Sequence, residues 1–305
     1  MAAFPVPFAI PKAGFQDPDR HGIERPEEAR AIVIPFGLEA TVSYGTGTAR
    51  GPAAILAASQ QLELFDEELW REAYHDFSIA TLEAPEIASG VAPALDQLEA
   101  IVEAVAARGA FPLVLGGEHA LTAGAVRPFA RRHDDLVVLQ IDAHADLRDG
   151  YLGEHFSHAS AMRRILDHDT ASVIGLGIRA ICAEEARFIE AAGGRVTLFW
   201  AHEQASWDWG HLRDRLAGRA IYVTFDVDGL DSSLMPATGT PMPGGLTYHR
   251  ALDIIRLAAS VGTIVAADVV ELSPIDGFPA CDFTAAAIAN KILNYALSGT
   301  SRAGS

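Results

Sequence analysis

Cysteine is scarce in this chain: of 305 residues only Cys182 and Cys281 carry a thiol. Both sit in apolar settings without Cys-x-x-Cys spacing, which excludes a disulfide framework and reads as buried free thiols in a reducing compartment. Positive charge is short as well, with 23 Lys plus Arg against 40 Asp plus Glu and a net charge of −17. A field of that sign repels phosphate backbones and anionic bilayers. Nucleic acid and membrane are therefore set aside as partners, and a small cationic substrate or a bound metal is favoured. Long hydrophobic runs are missing too, since no stretch approaches the roughly eighteen apolar residues of a membrane span. The opening Met-Ala-Ala-Phe-Pro has no basic n-region and meets Pro5 and Pro11 before any long apolar run, so no signal peptide is read there. These absences predict a cytoplasmic protein.

What is present is an ordinary core-forming composition, 50% apolar and 21% charged, which excludes disorder as the main theme. Residues 1–28, rich in Pro, Gly and charge, predict an extended arm. Short apolar runs follow at Ala31–Phe36, Phe77–Leu82, Phe111–Leu115, Leu136–Ile141, Val173–Ile178, Arg195–Trp200, Ala220–Phe225 and Thr263–Val269. Several are continuously apolar and β-branched, as strands of a parallel sheet covered on both faces are. Helical patterns lie between them. In 94–108, Leu95, Leu98, Ile101, Val102 and Val105 form one stripe, with Gly109 as its stop. Pro52–Ser59, Leu121–Arg132, Ala183–Ala192, Tyr248–Ser260 and Thr284–Leu297 are further helix candidates. Strand and helix alternate with no linker-like shift, which predicts one doubly covered α/β domain over 1–305. In such sheets chemistry gathers at the carboxyl ends of the strands.

Three of those ends are unusual. The strand Leu136–Ile141 runs into Asp142-Ala143-His144-Ala145-Asp146, whose alternate residues share one side of an extended segment. Ala220–Phe225 ends in Asp226-Val227-Asp228, with Asp231 three residues on. Phe111–Leu115 ends in Gly116-Gly117-Glu118-His119, where the glycines permit a sharp turn. Any one of these is commonly a turn former or helix cap. Together they are not, because four carboxylates and two imidazoles at adjacent strand ends need a counter-charge. Two divalent ions would balance Asp142, Asp146, Asp226 and Asp228. Hard oxygen donors with a few imidazoles favour manganese over zinc, and such a pair ionises a shared water near neutral pH. The residues point to a binuclear metallohydrolase.

The same segments resemble the ureohydrolases, the arginase and agmatinase family. The likeness is carried by residues 116–119, 142–146 and Phe225–Asp231, continues through Met235–Pro241 and Gly244–Thr247, and includes Gly51-Pro52 and Asp268–Pro274. It implies a three-layer α/β/α sandwich with a mainly parallel eight-stranded sheet, two Mn²⁺ per subunit, and hydrolysis of a guanidino group to urea plus an amine by a metal-bridging hydroxide. By the same resemblance, His119, Asp142, Asp146 and Asp226 hold one ion. Asp142, His144, Asp226 and Asp228 hold the other. Asp146 passes a proton from the nucleophile toward the leaving amine, Glu271 pairs with the guanidinium, His158 shuttles protons, and Thr240 falls at a substrate-binding position.

The segment Leu147–His155 lacks the Asn- and Ser-bearing pattern that grips an amino acid's α-carboxylate and α-amine in arginases. It resembles the agmatinase branch instead, which implies agmatine as substrate and urea with putrescine as products. Glu154 or Asp149 is then expected to receive the distal ammonium, whereas Arg148 argues for a guanidino acid. 4-Guanidinobutyrate, 3-guanidinopropionate, guanidine and arginine remain alternative substrates, and a non-catalytic metal- or guanidino-binding relative is a further alternative. The resemblance also implies a homo-oligomer, trimer or hexamer, with the arm as a subunit contact. The run Gly45–Gly51 has the wrong spacing for a phosphate loop and reads as a turn before a helix. His21, His75, His133, His155, His168, His202, His211 and His249 show no ligand spacing and read as surface or capping residues.

Overall fold

The structure, a computed structural model, describes residues 4–16 and 25–300. His21 and residues 1–3, 17–24 and 301–305 lie outside that range. The strands are β1 (Ala31–Phe36), β2 (Phe65–Asp66), β3 (Arg71–Glu72), β4 (Ile79–Thr81), β5 (Phe111–Gly116), β6 (Leu136–Ile141), β7 (Ala171–Ile178), β8 (Val196–Trp200), β9 (Ala220–Asp226) and β10 (Thr263–Val270). The helices are α1 (Gly51–Ser59), α2 (Val91–Ala106), α3 (Thr122–Ala125), α4 (Arg127–Ala130), α5 (Ala161–Ile165), α6 (Ala183–Ala191), α7 (Trp209–Leu216), α8 (Tyr248–Val261) and α9 (Ala280–Ser298).

Eight strands form one sheet in the order β4-β1-β5-β10-β9-β6-β7-β8, and every pairing in it is parallel. The eight apolar runs of the sequence supply its eight strands. β1, β5 and β6 are buried at every position, as strands covered on both faces must be. One hydrophobic layer packs α8 and α9 on one face; the other packs α2 and α5 on the opposite face. This is the expected α/β/α sandwich.

Local differences have local causes. The patterned segment Leu121–Arg132 is broken into a short 3₁₀ turn, α3 and α4, because Pro128 inside it has no N–H to donate to the preceding turn. The two-residue strands β2 and β3 form a separate antiparallel pair, too short to leave a period in the sequence. The described part of the arm lies along the sheet edge. Ala9 N donates to Thr81 O and Glu83 N to Pro7 O, and Phe15 is buried, so β4 is not an open edge. Gly45–Gly51 is the expected turn into α1: Glu39 Oε2 accepts from Gly47 N, Thr48 Oγ1 and Ala49 N. Among the described residues no helix is long and apolar enough to cross a membrane.

Candidate metal centre

β5, β10, β9 and β6 are neighbours in the middle of the sheet, and their carboxyl ends deliver His119, Glu271, Asp226 with Asp228, and Asp142 through Asp146 to one place. Two glycines make the approach possible. A Cβ on Gly117 would stand 1.9 Å from Leu38 O, and one on Gly229 would stand 2.7 Å from Asp142 N. Two carboxylate residues instead carry strain: Asp146 and Glu271 adopt φ of 52° and 65°, a left-handed conformation rare outside glycine that concentrates at functional sites.

His119 Nδ1 lies 3.1 Å from Asp142 Oδ2, 3.0 Å from Asp146 Oδ2 and 3.3 Å from Asp226 Oδ2. It nevertheless has no hydrogen-bond partner among the described residues, because none of those oxygens lies in line with the ring nitrogen. Its Nε2 meets Thr224 Oγ1 at 2.8 Å. An ion with ligand bonds of about 2.1–2.3 Å in octahedral array sets adjacent donors about 3.0–3.2 Å apart, so the His119, Asp142 and Asp146 donors fit a shared cation, with Asp226 at the edge of the set. The second group faces it across Asp142. His144 Nδ1 lies 3.0 Å from Asp228 Oδ2 and 3.7 Å from Asp142 Oδ1. Asp142 thus turns one oxygen to each side, and donor atoms of His119, Asp142 and Asp146, and of Asp142, His144 and Asp228, cluster closely enough for an ion each. Asp226 sends Oδ2 to the first group, while its Oδ1 accepts from Asp228 N.

The electrostatics agree with a missing counter-charge. Burial and then Asp142 push the Asp146 carboxyl up to about 6. Burial, Asp228 and Asp142 push Asp226 well above the carboxylate range. Burial opposes protonation of His144, yet Asp228 and Asp142 override it and raise the imidazole to about 12. Each of these groups holds its proton more tightly, which dilutes a charge that divalent cations would neutralise.

A cavity of about 240 Å³ opens over the cluster, lined by His158, Thr240 and Glu271 together with Tyr44, Arg148 and Tyr151. Glu271 Oε1 accepts from His119 N at 2.6 Å, and burial raises its carboxyl to about 8. Thr240 Oγ1 reaches Asp228 Oδ2 at 3.5 Å. His158 is held by Thr41, whose hydroxyl accepts from His158 N at 2.9 Å and lies 3.0 Å from Nδ1. That hydroxyl donates to Glu118 Oε1, so Nδ1 is the donor to Thr41 and Nε2 is left bare. Burial, followed by the charge on His119, lowers His158 to about 4.

The structure does not bring Glu154 or Asp149, expected to meet the substrate, to the cluster. Neither lines the cavity. The 147–155 loop closes on itself through Tyr151 and Glu154 backbone pairing, so Glu154 Oε1 caps Phe156 N, while Asp149 pairs with Arg164. Sequence reasoning also passed over side chains at the site. Glu118 stands in the Gly116–His119 segment without a role there, and Thr41 lies outside every motif named. Tyr151, stacked under Arg148 with its ring centroid 4.8 Å from the guanidinium carbon, gave no spacing signal.

A parallel α/β/α sandwich whose central strand ends converge on paired carboxylate–imidazole clusters defines a class, the hydrolases built for two divalent ions. Within it the chain belongs to the arginase family, whose model matches residues 29–297. It falls among the agmatinase-like ureohydrolases. The N(1)-aminopropylagmatine ureohydrolase of Synechocystis is 37% identical over 283 residues, covering 88% of this chain and 89% of that protein. The agmatinase of Bacillus cereus is 34% identical over 251 residues, covering 82% and 85%. Among solved structures, Trypanosoma cruzi formiminoglutamase with Mn²⁺ superposes with a TM-score of 0.80 at 26% identity, covering 90% of this chain and 96% of that one.

Proposed function

We propose that this chain hydrolyses the guanidino group of agmatine, or of a linear cationic analogue of it, to urea and an amine, putrescine in the case of agmatine, with two Mn²⁺ as cofactor. The observation that carries the reading is the placement of Glu271. One oxygen is committed to His119 N, and the other lies beside Gly239 in the cavity over the carboxylate–imidazole cluster. A guanidinium paired there sits with its carbon above the cluster.

His119, Asp142, Asp146 and Asp226 would hold one ion, and Asp142, His144 and Asp228, with Asp226 between the sites, the other. Bound there, the ions supply Lewis acidity and a water that ionises near pH 7. Everything else is done by the chain. Glu271 fixes the guanidinium and offsets its charge, which favours one orientation over many. Asp146 accepts at its carboxylate the proton given up by the attacking water and delivers it to the leaving amine. His158, neutral at pH 7 with Nε2 bare, takes up a proton at the cavity wall and returns it to solvent. Support for a cationic tail comes from the −17 net charge and from the relatives' own substrates. A second reading has one specific observation behind it: Arg148 lines the cavity, where a guanidinium would receive the carboxylate of 4-guanidinobutyrate.

Urea release decides between them. Metal-stripped protein is reloaded with Mn²⁺ and offered agmatine, N(1)-aminopropylagmatine, arginine, 4-guanidinobutyrate, 3-guanidinopropionate and guanidine. Manganese-dependent turnover with a cationic substrate as the best of the panel is expected. Preference for 4-guanidinobutyrate, abolished in Arg148→Leu, would transfer the assignment to the guanidino acid. Silence with every substrate would remove the proposal.

A further inference from the structure

Two tyrosines line the cavity over the cluster, Tyr44 and Tyr151, and they differ in what already covers their rings. Tyr151 carries the Arg148 guanidinium, whose carbon lies 4.8 Å from the ring centroid, and meets His158 edge-on at 5.9 Å. Tyr44 is 85% exposed, and among the described residues its side chain makes no hydrogen bond, aromatic contact or cation contact. An exposed aromatic side chain is ordinary by itself. What sets Tyr44 apart is a backbone fixed on both sides. Ahead of it, Glu118 Oε2 accepts from Ala40 N at 2.8 Å and Thr41 N at 2.6 Å, and Oε1 accepts from the Thr41 hydroxyl at 2.9 Å. Behind it, Gly45 N donates to Gly239 O at 3.2 Å, and Glu39 ties down residues 47–49. The loop holds in place a ring for which the described residues supply no polar or aromatic partner.

Gly239 is also the neighbour of the second Glu271 oxygen, so the loop bearing Tyr44 packs beside the carboxylate that pairs with the guanidinium. The floor of the cavity is the carboxylate–imidazole cluster, and a substrate tail can lead only to the mouth. In an extended four-carbon chain the second charge lies about 7–8 Å from the guanidinium carbon. The carboxylates that could meet it are engaged. Asp149 and Glu154 are held elsewhere, and Glu185 on the cavity wall has both oxygens on backbone donors, Leu147 N at 3.0 Å and Cys182 N at 2.7 Å.

We propose that Tyr44 receives the cationic tail of the substrate on its ring face, and so makes the site selective for guanidino compounds that carry a second positive charge. This assignment rests on the reading of the chain as a hydrolase of agmatine or a linear cationic analogue. An aromatic face attracts an ammonium through its quadrupole. It does so without adding negative charge to a cluster that already has a surplus. Arg148 on Tyr151 is the same contact satisfied from within the chain.

The test compares agmatine with n-butylguanidine, which has the same carbon chain and no second charge. Urea release is followed in Mn²⁺-loaded wild type, Tyr44→Leu and Tyr44→Phe, with the metal content and sedimentation of each measured first. In Tyr44→Leu the KM for agmatine is expected to rise roughly 3–30-fold at nearly constant kcat, because a tail contact made equally in ground and transition states acts on KM. The KM for n-butylguanidine is expected to stay at the wild-type value, and Tyr44→Phe to behave as wild type because it keeps the ring. Equal losses with both substrates would make Tyr44 an apolar wall and overturn the assignment, as would an unchanged KM for agmatine. Altered sedimentation of Tyr44→Leu would place the ring in a subunit contact and overturn it as well. A wild type with the same kcat/KM for both substrates has no site for the second charge, which removes Tyr44 from recognition and leaves guanidino hydrolysis standing. Silence with both substrates removes the hydrolase reading and the tail site together.

Discussion

Two buried acidic clusters sit in this molecule, and the chain treats them in opposite ways. In the first, Asp66 receives Lys291 Nζ on both oxygens at 3.1 Å and Asn294 Nδ2 at 2.8 Å. Beside it Glu68 is gripped at 3.0 Å by two nitrogens of Arg256. Every charge there has a cation from the same chain, and the result ties α9 and α8 to the β2–β3 pair. In the second, Asp142, Asp146, Asp226 and Asp228 converge on the imidazoles of His119 and His144, and among the described residues none of the four forms an ion pair with a lysine or arginine. Burial alone does not distinguish the two, since the Asp66 side chain is 1% exposed and that of Asp142 is 1% exposed. The balance of charge does. A cluster that neutralises itself is architecture, whereas one left with surplus negative charge at converging strand ends is built for cations from outside.

Removing one charged side chain from each side of this contrast has different consequences. The largest effect is expected from Asp142→Asn, which deprives both groups of their shared ligand. Urea release should fall by more than about 1,000-fold, and the stripped protein should melt lower than wild type, because burial is outweighed by the His119 and His144 imidazoles, which hold the Asp142 carboxyl below its ordinary range in the folded state. A variant that keeps Mn²⁺-dependent activity would show that Asp142 is not the common ligand. Next in size is Lys291→Met. It strands Asp66 without its cation and should cost about 3 kcal/mol of stability, read as a lower denaturant midpoint, with urea release per folded molecule unchanged. A loss of activity without a loss of stability would place Lys291 in the site and dissolve the comparison.

How far the sequence discloses all this depends on which periodicity carries the information. The eight sheet strands and the ligands at their ends stand out because a β-branched apolar run followed by alternating Asp and His combines two clear signals. Polar residues inside those strands are different. Gln140, Thr224 and Asp268 lie inside runs that are buried on both faces, where a period of two separates nothing and a single polar letter reads as noise. Left-handed backbone at Asp146 and Glu271 leaves no mark in composition either, because neither residue is glycine. The place of Glu154 away from the cavity is illegible for a related reason. A loop's polar residues are visible in the sequence, but whether such a carboxylate meets a ligand or its own backbone two residues on is decided by turns the sequence does not spell out. Tertiary context likewise created α7 and α5, whose short patterns are too brief to declare themselves.

The smallest effect is also the one that sets the two clusters against each other in a single experiment, the pH dependence of stability in stripped protein. Burial raises Asp66, but the Leu69 N–H, Asn294 and Lys291 outweigh it and hold the carboxyl below its ordinary value. Its folded state therefore releases its proton earlier than the unfolded chain. The stability it contributes is present above the unfolded carboxyl pKa of about 3.9 and is lost as pH falls through the lower folded value. Asp146 runs the other way. With its folded pKa raised to about 6, the folded state binds more protons than the unfolded one between about 4 and 6, so that contribution is present at acid pH and disappears as pH rises through 6. Denaturant midpoints of stripped protein should accordingly decline from pH 5 to pH 7. Saturating Mn²⁺ should abolish the decline, since ions that bind only the folded state supply the missing charge. Lys291→Met should leave the decline intact while lowering the whole curve. A stripped protein whose stability is flat from pH 5 to pH 7 would mean that the second cluster is neutralised from within the chain after all, and that the two clusters are alike.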